Sequence, residues 1–202
     1  MKKLLITSLA TMMVAVCTSL AFAASFTFDG NITYHNDVVK IGFTLNEKNS
    51  DAKVWTDSYQ NGINFDPVTA LWRKAGSDFE LISFNDDDDT IAPGQTEYDS
   101  GFSLAALDAG EYLFTVGAHN NMNKGNWLSH GFVYDDDIPV ALADWKQPAN
   151  SKDMGSYYRI NFTGVPSAKK FDPVGPVPEP VTMALFGLGL IGLSTLGYRR
   201  KK

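Results

Sequence analysis

The sequence is poor in the residues that most often carry chemistry. Cysteine occurs once, at Cys17, and histidine three times in 202 residues. A lone thiol closes no disulfide, and its loss with the N-terminal segment removes any thiolate metal site, so stability must come from a packed core. His35, His119 and His130 stand in no His-Glu-x-x-His or comparable arrangement. The chain also lacks a Gly-x-Ser-x-Gly elbow and a phosphate-cradling glycine loop. Ser129 and His130 are adjacent, but neighbours on a strand point to opposite faces and cannot act together as nucleophile and base. Amphipathic helical periodicity is missing, as is any internal repeat. Positive charge is scarce in the middle of the chain: residues 24–176 hold 11 lysines and arginines against 22 aspartates and glutamates, a net of −11, compared with −6 for the whole chain. That balance argues against nucleic acid as a partner and suits cations.

What is present is most legible at the two ends. Met1-Lys2-Lys3, an apolar run over residues 4–20 and Ala21-Phe22-Ala23 supply, in order, the positive, apolar and small-residue parts of a secretory signal peptide. A signal helix over residues 1–23 is predicted, delivered to the Sec export machinery and cleaved between Ala23 and Ala24. Val16 is a poor fit to the small residue that lipoprotein processing at Cys17 prefers. At the other end, residues 181–198 (VTMALFGLGLIGLSTLGY) are uncharged and glycine-punctuated, and Arg199-Arg200-Lys201-Lys202 follows. Their length, about 18 residues, is the lower edge of what crosses a bilayer. A transmembrane helix over 181–198 is predicted, a transient anchor in the inner membrane with its basic tail cytoplasmic and the preceding domain outside.

The segment between them is about 150 residues long, enough for one good core and therefore one domain. Val39, Ile41, Phe43 and Leu45 alternate with Lys40, Gly42 and Thr44, the pattern of a half-buried strand. Tyr112, Phe114, Val116 and Ala118 alternate likewise after Asp108-Ala109-Gly110, where glycine is expected to supply the positive φ of a tight turn. Further strands are predicted over 26–28, 52–56, 68–73, 81–84, 131–134 and 157–162. The fold class is all-β, an antiparallel β-sandwich or jelly roll over residues 24–164. Residues 165–176, rich in proline, glycine, serine and lysine, read as an extended linker.

The sharpest chemical feature is Asn85-Asp86-Asp87-Asp88-Asp89. Adjacent carboxylates repel one another, and Ca²⁺, which takes six to eight oxygens, would relieve that repulsion. The predicted ligands are Asn85, Asp86 and Asp88, with Asp66 joining from a neighbouring loop. The alternative is a solvated acidic turn, because the central glycine and distal glutamate of an EF-hand loop are missing. Asp135-Asp136-Asp137 is a weaker version of the same feature. Trp127, within the polar stretch NMNKGNWLSHG, is the aromatic least suited to a core and the one placed to stack on a ligand such as a sugar.

Val177-Pro178-Glu179-Pro180, the apolar span and the basic cluster, in that order, resemble the PEP-CTERM sorting signal of bacteria that secrete exopolysaccharide, here residues 177–202. In that family an exosortase, a membrane cysteine transpeptidase, recognises the Pro-Glu-Pro and removes the anchor. The resemblance implies that Pro178, Glu179 and Pro180 are a processing site acted upon, not a catalytic one. Inside the domain, Asn64-Phe65-Asp66-Pro67, Ala70-Leu71-Trp72, Phe84-Asn85-Asp86-Asp87 and Ala109-Gly110-Glu111-Tyr112 are similar to the bacterial pre-peptidase C-terminal domain, which implies a β-sandwich accessory module that is not itself catalytic. The expected function is that of an exported, exosortase-processed protein of the cell surface or exopolysaccharide matrix, a non-catalytic structural or adhesive β-sandwich. The alternatives are a Ca²⁺-dependent carbohydrate-binding module and a secreted hydrolase built on carboxylates that converge from distant positions.

Overall fold

A computed structural model describes residues 24–49, 51–147 and 154–171. The signal helix over 1–23, the transmembrane helix over 181–198 and Pro178-Glu179-Pro180 lie outside the described residues. Among the described residues no helix is long and apolar enough to cross a membrane.

The described chain is all-β. Its strands are β1 (Ser25–Asn31), β2 (Val38–Leu45), β3 (Lys53–Thr56), β4 (Pro67–Ala75), β5 (Asp78–Asn85), β6 (Gly101–Ser103), β7 (Gly110–Ala118), β8 (Tyr157–Thr163) and β9 (Ser167–Lys170). They make two antiparallel sheets, one in the order β1-β8-β3-β6 and one in the order β5-β4-β7-β2-β9, packed as the predicted sandwich. Alternation decides which face is inward. In β8, Tyr158, Ile160 and Phe162 are buried, and in β2, Ile41, Phe43 and Leu45 are. These rows meet between the sheets, where the ring of Phe162 lies 5.3 Å from that of Phe43 and 6.0 Å, edge-on, from that of Phe114. Offset and edge-to-face contacts of this kind are the favourable aromatic geometries.

Strands β4 and β7 do not alternate, because both of their faces are covered. Leu71, Tyr112, Phe114 and Val116 point to the main core, whereas Ala70, Trp72 and Leu113 join Phe79 and Phe132 in a second core on the outer face. Phe132 reaches that face from the segment 121–137, which folds back along β5: Leu81 N–H donates to Asn126 C=O at 2.9 Å, and Glu80 bridges Trp127. Residues 131–134, predicted as a strand, form a turn in this segment. Gly131 sits at φ 76°, and the Asp135 carboxylate accepts the Phe132 N–H at 2.7 Å, closing the chain on itself before a ladder can extend.

Two further differences from expectation have local causes. Gly110 is not in the left-handed region. The turn into β7 is instead fastened by Tyr112, whose hydroxyl donates to the Asp108 carbonyl at 2.7 Å. Ser167–Lys170, at the start of the stretch whose composition suggests a linker, pair with β2 from Thr44 to Ile41, and Val165 is buried beside them. Four residues of mostly polar character form a strand here because β2 offers an open edge for their backbone. Gly101 marks a close approach: a Cβ there would lie 2.5 Å from the Val54 carbonyl oxygen, so only glycine lets β6 reach β3.

Candidate metal centre

Antiparallel neighbours place the start of one strand beside the end of the next. Because β5, β4 and β7 are adjacent, the residue before β4 and the residues after β5 and β7 come to the same end of the sheet. Those residues are Asp66, Asp86 and His119. The register fixes them there, with Pro67 opposite Ala118, Thr69 opposite Asn85, and His119 N–H donating to the Asp66 C=O at 2.8 Å.

The side chains converge as well. His119 Nδ1 lies 3.4 Å from Asp66 Oδ2 and 3.6 Å from Asp86 Oδ1, and one ligand atom from each of the three residues falls within 4.8 Å of the others. Asp66 is buried, 4 % exposed, while Asp86 and His119 are half-buried. Behind Asp66 stands Gln147, fully enclosed, whose Nε2 donates to Asp66 Oδ2 at 3.0 Å. Asp66 Oδ1, Asp86 Oδ1, His119 Nδ1 and Gln147 Oε1 are all buried and have no hydrogen-bond partner among the described residues. A buried polar atom without a partner costs about 1–3 kcal/mol, so four on neighbouring residues demand a specific explanation.

Electrostatics agree with the geometry. Burial, reinforced by the negative charges of Asp86, Asp87 and Asp99 and opposed by the Gln147 hydrogen bond, pushes the Asp66 carboxyl up to about 7. Desolvation disfavours the carboxylate and the neighbouring anions repel it. A cation at this position would reverse both effects. Two carboxylates and an imidazole can therefore hold a divalent ion.

The sequence-predicted ligands separate here. Asp66 and Asp86 come together. Asp88 is not a member of the group; its carboxylate accepts the Thr90 N–H and hydroxyl at 2.9 and 2.5 Å and shapes its own loop. The Asn85 side chain is turned to β6, where its Nδ2 donates to the Gly101 carbonyl at 2.8 Å. In the second acidic run, each carboxylate has a neighbour: Asp135 caps Phe132, Asp136 pairs with Lys124 at 2.7 Å, and Asp137 lies 3.6 Å from His35 Nε2. Trp127 is half-buried where the outer segment meets β5. The Ser129 hydroxyl donates to Asp78 at 2.7 Å. His119 and Gln147 were not among the predicted ligands. A signal for His119 existed, since it directly follows an alternating strand just as Asp86 does, but Gln147 has none.

Residues 176–201 match the family model of the PEP-CTERM protein-sorting motif. The chain carries this sorting signal. The PEP-CTERM motif makes it an exosortase-targeted, exported protein, held by a C-terminal membrane signal before processing, and Pro178, Glu179 and Pro180 fall within the match. No curated protein and no solved structure matches the chain.

Proposed function

We propose that the PEP-CTERM chain works, after sorting, as a non-catalytic β-sandwich of the cell surface or exopolysaccharide matrix. The observation that carries this reading is the joining of a C-terminal sorting motif to a two-sheet body in which Ser129 and His35 make structural contacts. Ser129 is bound to Asp78, and His35 is buried, accepts the Val140 N–H at 3.2 Å and stacks on Trp145. The strong negative charge of the body suits a hydrated, crowded polymer layer. The partners under this reading are the Sec machinery, the exosortase, the inner membrane in passing and, at the destination, exopolysaccharide.

The test has two parts, both done in the native host. Glu179→Ala is expected to leave the protein in the membrane fraction, and unchanged release would sink the exosortase step. The parent protein is expected to co-purify with the polymer matrix and to release neither sugar nor peptide from it. Turnover of matrix polymer would overturn the non-catalytic reading. Carbohydrate binding is the second reading, favoured by Trp127. Trp127 stands opposite Glu80, six residues before Asp86, or about 20 Å along the strand. A sugar stacked on it would therefore bind apart from the acidic cluster.

A further inference from the structure

We propose that Asp66, Asp86 and His119 bind a divalent ion of the zinc class, Zn²⁺ foremost, with Gln147 orienting Asp66. Three independent features support the assignment. The first is spacing. An ion bound tetrahedrally at about 2.0–2.1 Å holds its ligand atoms about 3.3–3.4 Å apart, and His119 Nδ1 lies 3.4 and 3.6 Å from its two carboxylate oxygens. The second is donor chemistry. Ca²⁺ selects an all-oxygen shell of six to eight ligands, whereas here an imidazole nitrogen stands between two carboxylates, a set that suits Zn²⁺ and its neighbours. Two carboxylates and a neutral imidazole also balance a charge of +2.

The third feature is Gln147, which belongs to neither the acidic run nor a strand end. Its side chain is fully buried, its Nε2 holds Asp66 Oδ2, and its Oε1 has no partner among the described residues. Partners that hydrogen-bond a ligating carboxylate and fix its orientation are the usual second layer of a metal site. A solvated acidic turn would not bury Asp66 and Gln147. The contacts of 3.4 and 3.6 Å from His119 Nδ1 are longer than charge-assisted hydrogen bonds, which lie near about 2.8 Å. The site opens at the half-buried Asp86 and His119, which leaves a fourth position for water or an external donor.

The experiment uses the untagged full-length chain in detergent, stripped with a chelator and then given Zn²⁺, Co²⁺ or Ca²⁺. At about a hundred times the dissociation constant, Zn²⁺ is expected to raise the thermal midpoint by roughly 5–10 °C, and Co²⁺ to develop the visible absorption of a tetrahedral site. His119→Ala and Asp86→Asn, both at half-buried positions, are expected to abolish both signals, and Asp88→Asn to leave them intact. Circular dichroism of each variant confirms folding, so Asp66→Asn need not carry the test. The proposal is overturned if Zn²⁺ gives no shift and Co²⁺ no visible band. It is equally overturned if the Zn²⁺ shift survives in His119→Ala, which would mean scattered surface binding, or if Ca²⁺ stabilises more than Zn²⁺ does.

Discussion

Asp99→Ala is expected to be the most damaging single change in the acidic loops, although Asp99 is not a ligand of the proposed ion site. The residue is fully buried and accepts five hydrogen bonds. Its Oδ1 takes the Thr56 hydroxyl at 3.1 Å and the Ser58 and Tyr59 N–H groups at 2.9 and 3.1 Å. Its Oδ2 takes the Thr96 N–H at 2.9 Å and the Thr96 hydroxyl at 3.0 Å. Asp99 thereby clamps the turn after β3 to the loop before β6. Alanine would strand three backbone N–H groups, each worth about 1–3 kcal/mol when left unpaired in the interior. With some rehydration of the cavity, the expected loss is about 3–5 kcal/mol, a large share of the roughly 5–15 kcal/mol that holds a domain together. Urea unfolding followed by tryptophan fluorescence reads it, since Trp72 is buried in the sheet. Asp88→Ala is the internal comparison. It removes only two bonds on an exposed turn and is expected to cost less than about 1 kcal/mol. If Asp99→Ala costs no more than Asp88→Ala, the clamp does not exist as described.

Two further outcomes follow from particular atoms. The Asp66 carboxyl is raised from 3.8 to about 7 by folding, so the folded state favours its protonated form; this contribution is fully present below pH 4 and is lost as pH rises through 7, by up to about 4 kcal/mol. In chelator, Asp66→Asn is therefore expected to unfold at higher urea than the parent at pH 8 and at about the same urea near pH 4, and an offset independent of pH would refute the assignment. Gly101→Ala would drive a methyl to 2.5 Å from the Val54 oxygen and 2.8 Å from Trp55 Cα. It is expected to cost about 1–3 kcal/mol, and an unchanged urea midpoint would show that β6 does not lie so close to β3.

Much of the fold was legible because period-2 alternation is a direct imprint of a half-buried strand. The rows Ile41, Phe43, Leu45 and Tyr158, Ile160, Phe162 could be read for that reason. What failed did so where neighbours, not residues, decide. Ser167–Lys170 have no strand signature and pair because β2 has an edge to offer. Residues 131–134 carry the strand-favouring side chains Phe132, Val133 and Tyr134 but are closed into a turn by Asp135. At the candidate site, Asp66 and Asp86 stood out as carboxylates near strand ends. His119 needed the sheet order β5-β4-β7 to be known, and Gln147 arrives through tertiary packing from more than eighty positions away in sequence, beyond any local pattern.

The pairing of β1 with β8 bears on time as much as on shape. Phe28 lies opposite Ile160, and β3 is bonded to the same late strand. A chain that leaves the cytoplasm N-terminus first has nothing for its opening strand to pair with until residues 157–163 have followed. Contacts of such sequence separation form slowly, so the β1-β8-β3 sheet is completed late, whereas the β4–β5 hairpin is local in sequence. The last rung, Ile41 with Lys170, closes six residues before the sorting motif begins at residue 176. Completion of the sandwich thus requires nearly all of the chain that precedes the sorting motif.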